Sequence, residues 1–216
     1  MLYSLSIIGL VLAYMWIGRP LFGAQPTWSA MTIVGILGVC AYGNAQHGNL
    51  RHGSLWDGAS WGFRRRDFLP GLRRALWLTL PAVALVLAVG LALGTFQMKD
   101  DLLVRFLLLL AWGLMQQFVL QTVIYREARE RYSRGTATMI AASLFALVHL
   151  PNPFLVPATF AAALAWCRIY EDHPNLLPLA FSHAAMSGAA SMSLGEGITG
   201  GMRVGYGYLL ANGIWL

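Results

Sequence analysis

Apolar residues run in long stretches separated by short polar ones, and seven of these stretches are candidates to cross a membrane, which takes about 20 mostly apolar residues in a helix. The first is Leu2 to Ile17, which lacks a basic start and a small-residue cleavage site and is therefore expected to be a span rather than a leader. The second, about Trp28 to Tyr42, fades into Gly43, Asn44, Gln46, His47 and His52. Ala75 to Phe96 and Leu102 to Ile124 are the third and fourth. The fifth, about Thr136 to Leu150, stops at Pro151-Asn152-Pro153, because proline has no N–H to donate and clashes with a continuing helix. Phe154 to Tyr170 and Leu176 to about Met192 are the sixth and seventh. A glycine-rich stretch then leads to Tyr206 to Leu216, either a partial eighth span or an interfacial segment. The pattern predicts an all-α, polytopic transmembrane bundle of seven or eight spans, a single domain over residues 1–216 with no internal repeat.

Composition agrees: 57% of the residues are hydrophobic and 11% charged, against about a quarter charged in soluble domains. The net charge of +6 comes from arginines in loops beside apolar stretches, where positive charge sets orientation and meets anionic lipid headgroups. No nucleic-acid partner is expected. Arg64, Arg65, Arg66, Arg73 and Arg74, interleaved with Trp61, Phe63, Phe68, Leu69 and Leu72, have the pattern of a basic amphipathic stretch on the membrane surface, or more simply of a positive-inside anchor. Arg126, Arg129, Arg131 and Arg134 form the second basic loop. Both loops should be cytoplasmic, which puts the N-terminus inside and suits a bacterial inner membrane. Cys40 and Cys167 lie within apolar stretches, away from the electropositive, exposed setting of a reactive thiol.

Polar groups at membrane depth are costly unless paired and mark functional sites by default. Gln116, Gln117 and Gln121 lie in the fourth stretch, His149 in the fifth, and His183 and Ser187 in the seventh. Counting ~1.5 Å of rise per residue from the ends of their stretches brings Gln116, His149 and His183 near mid-membrane. Spacings of four put Gln117 with Gln121, Phe145 with His149, and His183 with Ser187 on one face of each helix. A single polar pocket lined by three helices is predicted; the plainer alternative is that these side chains only hydrogen-bond neighbouring helices. His47 and His52 flank an interface, and His173, beside Glu171 and Asp172, reads as surface. Trp112 and Trp166 read as membrane anchors, Gly195 to Gly201 as a flexible segment, and Asn152 as the cap of a turn.

Over about residues 102–192 these positions resemble the CAAX-protease and bacteriocin-processing (abortive-infection) family of intramembrane glutamic-type peptidases. Its pattern is Glu-Glu-x-x-x-Arg, then Phe-x-x-x-His, then His-x-x-x-Asn or Ser. Phe145-Ala-Leu-Val-His149 and His183-Ala-Ala-Met-Ser187 match the last two, and the run Asn175-Leu-Leu-Pro-Leu-Ala-Phe-Ser resembles the family's approach to the final histidine. The first motif matches in position only, Gln116-Gln117-Phe-Val-Leu-Gln121 standing where the family has two glutamates and an arginine. The resemblance implies a site in which a glutamate and histidines activate water for attack on a peptide bond. Glutamine can orient water but has no carboxylate to take its proton.

Three functions follow as expectations. A non-standard, non-proteolytic member would use the pocket to bind or assemble a membrane partner, whether a membrane-anchored peptide, a lipid or another membrane protein subunit. An endopeptidase with a rearranged mechanism would use His149 and His183 to polarise water and stabilise the oxyanion, Gln116 and Gln117 to position that water, and Ser187 to support His183; histidine titrates in the right range. The third is a metal or tetrapyrrole on His149 and His183, although two histidines leave a metal short of its usual protein ligands. No cofactor is expected.

Overall fold

The computed structural model describes residues 1–22, 26–52 and 61–214, with side chains at 1–21, 31–44 and 61–214; His47 and His52 lie outside the described side chains. Every one of the seven apolar stretches is helical. α1 (Leu2–Ala13) continues through a π-helical turn, Tyr14–Gly18, into α2 (Arg19–Phe22). α3 (Pro26–His52) and α4 (Phe68–Ala92) follow. α5 (Leu102–Gln117) runs unbroken into a π-helical segment, Phe118–Tyr125, and then α6 (Arg126–Arg129). α7 (Arg134–Leu147), α8 (Leu155–Asp172) and α9 (Leu176–Ser193) complete the bundle, with α10 (Glu196–Thr199) and α11 (Tyr206–Ala211) after it. No strand occurs among the described residues; one isolated antiparallel bridge joins Phe63 to Asn175.

Three helices are long and apolar enough to cross a bilayer, Leu2–Leu21, Arg65–Ala92 and Leu102–Arg129, with Met31–Asn44 and Arg134–Leu147 as shorter apolar ones. The chain is an integral membrane protein. Only 17% and 11% of the apolar windows in the second and third of these long helices are buried, so their leucines face lipid. α9 is the opposite case. It packs between α4 and α5, buries more than half its length, and carries Ser182, His183, Ser187, Ser191 and Ser193. A helix screened from lipid by its neighbours needs no strongly apolar sequence, which is why α8 and α9 fall short of the composition of a lone span. α11, at six residues, is too short to cross at 1.5 Å per residue.

Two glycines set how closely α9 is held. A Cβ on Gly90 of α4 would lie 2.4 Å from the Ser193 carbonyl oxygen, and one on Gly113 of α5 would lie 3.2 Å from the Ala180 carbonyl oxygen and the His183 Cβ. Small residues at such crossings let backbones approach where no hydrophobic effect drives helices together.

The basic stretch does not form a separate surface helix. Arg65–Asp67 is one 3-10 turn, and α4 begins at Phe68, so Arg73 and Arg74 are already inside the third helix. Pro70 explains the early start, since its fixed φ and missing N–H suit a first helical turn. This loop is stitched to the α8–α9 connection: the Arg64 N–H donates to the Pro174 carbonyl at 3.3 Å and the Asn175 amide donates to the Arg64 carbonyl at 3.0 Å. On the same face Arg129 pairs with Glu171 and Arg134 with Asp172, both at 2.9 Å, and the Met1 amine pairs with Glu127. At the opposite end, the Gln97 N–H meets the Met192 carbonyl and the Gly205 N–H the Leu150 carbonyl, each at 2.8 Å. The chain therefore alternates between two faces, one carrying both basic loops.

Candidate functional site

The glutamine motif sits where α5 gives way to π-helix. Such wide turns inside α-helices recur at functional sites. Gln117 and Gln121 are both fully buried, and the Gln121 amide nitrogen donates to the Gln117 oxygen at 3.1 Å. The Gln117 nitrogen, the Gln121 oxygen and the Gln116 oxygen have no hydrogen-bond partner. Turning both amides of the pair over exchanges their roles and still leaves one donor and one acceptor free. Buried amides are rarely left this way, because each unmet group costs about 1–3 kcal/mol.

His149, 8% exposed, closes the last turn of the fifth helical stretch. Its Nδ1 lies 2.7 Å from the Phe145 carbonyl oxygen, so that nitrogen carries the proton and Nε2 is left as the acceptor. The Phe145 ring meets both imidazoles edge to face, with centroids 5.0 Å from His149 and 6.5 Å from His183. His183, 7% exposed, stacks on Trp166, and its Nδ1 has no partner. Behind it, Ser182 Oγ accepts from Trp166 Nε1 at 3.0 Å and lies 2.6 Å from Thr79 Oγ1, tying α4, α8 and α9 together.

The six side chains singled out in the sequence do not share one pocket. Gln116 and His149 line a cavity of about 400 Å³ between the first helical stretch, α3, α5 and α7, while His183 and Ser187 line a second one of about 110 Å³ between α4, α8 and α9. Gln117 and Gln121 line neither. Phe145 explains the division: it lines the larger cavity and stands against both imidazoles, as bulky partners at four-residue spacing do. Nor does Ser187 support His183, since no hydrogen bond joins them; the polar side chain tied to the stacked Trp166 is Ser182.

The larger cavity is walled mainly by Ile8, Val11, Ile33, Ile36, Leu37 and similar residues, with Arg19, Tyr14, Trp112, Gln116 and His149 as its polar and amphipathic members. Among the described residues no aspartate or glutamate lines it. Glu127 is consumed elsewhere, accepting from the Ser4 N–H at 2.7 Å and the Ser4 hydroxyl at 2.5 Å as well as from the Met1 amine. Among the described residues no group of three or more His, Cys, Asp or Glu side chains converges as metal ligands would.

Asn152 is fully buried and acts as a clasp. Its oxygen accepts from the Phe154 and Leu155 N–H groups at 3.0 and 2.9 Å, which caps α8, and its nitrogen donates to the Thr199 and Arg203 carbonyls at 2.8 and 2.9 Å. Sequence reasoning identified the cap but not the second pair of bonds. It read Trp166 as a membrane anchor, whereas the indole is buried against His183, and it gave no role to Ser182 or Arg19. Ser182 precedes the motif histidine directly, and Arg19 is the first charge after an unbroken apolar run; these were the signals available.

The fold and its buried groups define a polytopic helical membrane protein with amide and imidazole side chains buried on its inner helices. Residues 98–189, the segment holding all six of those positions, match the family of the type II CAAX prenyl endopeptidases, Rce1-like. The chain is an integral membrane protein, and its segment 98–189 is similar to that family. No curated protein and no solved structure matches it.

Proposed function

We propose that the chain is a non-standard member of this group that binds or assembles a membrane partner, a peptide, lipid or complex subunit, at the Gln116–His149 cavity without cleaving it. The observation that carries the reading is that no carboxylate lines the cavity among the described residues, together with glutamines at the positions where the family has its acid and its arginine. A neutral amide pair needs no counter-ion, so the loss of the arginine along with both glutamates follows from the loss of the charge. The unpartnered Gln116 oxygen and the His149 imidazole on an otherwise apolar wall suit recognition, for which fixed polar groups in an apolar cavity supply orientation. The same reading places both basic loops and the N-terminus in the cytoplasm, by the arginine bias, and the protein in a bacterial inner membrane.

A histidine-based endopeptidase is the second reading, favoured by one observation: with Nδ1 bound to the Phe145 carbonyl, His149 presents an unprotonated Nε2, the form a general base requires. The two readings part in one experiment. The protein in nanodiscs is incubated with prenylated and leader-type peptide libraries, and a photo-crosslinker placed at Met115 on the cavity wall reports binding in a native membrane. Crosslinking to a defined partner, weakened by Gln116→Leu, with no cleavage of any peptide is the expected result. Cleavage abolished by His149→Ala would overturn the proposal in favour of the peptidase.

A further inference from the structure

The larger cavity has a cation at one end and apolar side chains along the rest. It runs from Ile8 in α1 to Arg19 in α2, eleven residues along one continuous helical stretch, or roughly 16 Å at 1.5 Å per residue. Arg19 is partly buried and makes no ion pair or hydrogen bond among the described residues. Its guanidinium packs instead on the α11 backbone, where a Cβ on Gly207 would lie 2.7 Å from one of its terminal nitrogens. The other arginines that line or border the core have partners: Arg129 with Glu171, Arg134 with Asp172 and Arg126 with Asn44. An arginine left without an anion at the end of a span, where an apolar cavity opens toward the membrane face, is placed to meet an anionic headgroup whose chain enters that cavity. Deeper in the same cavity, Gln116 brings a buried oxygen with no hydrogen-bond partner, so polar capacity is unmet there as well.

We infer that this cavity holds the hydrocarbon chain of an anionic amphiphile, the chain lying along Ile8, Ile36 and Val119 and the carboxylate or phosphate meeting Arg19. The inference rests on the proposed binding role of the same cavity and names its ligand class. An elongated apolar cavity of about 400 Å³ is within the range of ligand sites, roughly 300–1,000 Å³, and its shape suits a single chain better than a compact molecule. A guanidinium is suited to both anions because its fork of donors matches either planar carboxylate or phosphate oxygens. A neutral lipid would leave that fork unmatched, and a zwitterionic one brings its own cation beside the phosphate, which weakens the net attraction. The shared chemistry therefore covers two sources, a free fatty acid and an anionic phospholipid that threads one chain inward.

Native mass spectrometry of the full chain, released from detergent after incubation with palmitate, phosphatidylglycerol or phosphatidylcholine, tests it. Retention of palmitate or phosphatidylglycerol over phosphatidylcholine is expected, and the tighter of the two anionic ligands identifies the source. Arg19→Gln should weaken that retention by about tenfold, the effect of one charged contact of some 1.4 kcal/mol, while Arg19→Lys keeps most of it. Val119→Trp, which fills the cavity without touching the charge, should abolish it. Equal retention of phosphatidylcholine, or anionic binding indifferent to Arg19→Gln, overturns the inference. If Met115 still crosslinks a membrane partner in that event, the proposed binding function survives and only the ligand class is wrong.

Discussion

The imidazole of His183 lies stacked on the indole of Trp166, with ring centroids 4.9 Å apart and planes 14° from parallel. The stack is held from behind, because Trp166 Nε1 donates to Ser182 Oγ, one residue before the histidine. Orientation of His183 is thus a property of two helices, α8 and α9, and not of a hydrogen bond to the ring.

Replacing Trp166 separates packing from hydrogen bonding. Trp166→Phe keeps an aromatic face for the imidazole but removes one of the two hydrogen bonds that Ser182 accepts, leaving the one from Thr79, and it should cost about 0.5–1.5 kcal/mol, the net range for one hydrogen bond. Trp166→Ala removes the face as well and should cost about 3–5 kcal/mol, as large core truncations do. Unfolding of the two variants in mixed micelles measures both. The ring signals of His183 in a nitrogen-labelled sample should broaden in Trp166→Ala and stay sharp in Trp166→Phe. Equal losses in the two variants would mean that the indole contributes only its N–H.

The ion pair at the basic face gives a pH dependence of known sign. Burial alone would raise the Glu171 carboxyl, but hydrogen bonds from Arg129 and Tyr125 and the charges of Arg129 and Arg134 outweigh it and hold the group below its ordinary value of 4.5. A carboxyl lowered on folding contributes stability that is fully present above the unfolded-state value and is lost as pH falls through the folded-state one. The stability difference between the wild type and Glu171→Gln should therefore be constant near neutrality and shrink only below pH 4.5. Because Glu171 is partly exposed, salt should reduce the difference as well. A difference that grew on acidification would refute the assigned direction.

The helical stretches were legible in the sequence because lipid-facing residues must be apolar, and Leu102 to Ile124 left no other choice. The similarity of residues 98–189 to the type II CAAX prenyl endopeptidases was legible too, through Phe145, His149 and His183, since four-residue spacing survives any detail of packing. The division of the site was not. Whether Phe145 joins or separates two imidazoles depends on its rotamer and on the crossing of α7 with α9, which no spacing within one helix encodes. Arg19 escaped notice for a similar reason: a charge at the end of an apolar run is ordinary at an interface, and only the cavity beside it makes its lack of a partner significant. The start of α4 was misplaced because five arginines outweighed Pro70, whereas the backbone follows the proline.

The amide pair itself can be tested by restoring the family's residues one at a time. Gln117→Glu puts a carboxylate where the side chain is fully buried and where its neighbour at four residues, Gln121, offers only an amide. A buried charge lacking a partner costs about 3–5 kcal/mol, so this variant should be strongly destabilised at neutral pH. The group's folded-state value would be raised, so the penalty should fade on acidification as the carboxyl takes up its proton, the reverse of the Glu171 case. Gln121→Arg alone should be destabilised at every accessible pH, since a guanidinium does not give up its charge. Together they form an ion pair at the spacing now occupied by the amides, and the double variant should be more stable than the sum of the single losses by about 1–3 kcal/mol. Detergent unfolding of the four proteins in this cycle measures the coupling. A coupling near zero would mean that the two positions do not face each other as the Gln117–Gln121 hydrogen bond requires, and the neutral pair would lose its standing as the replacement for a charged one.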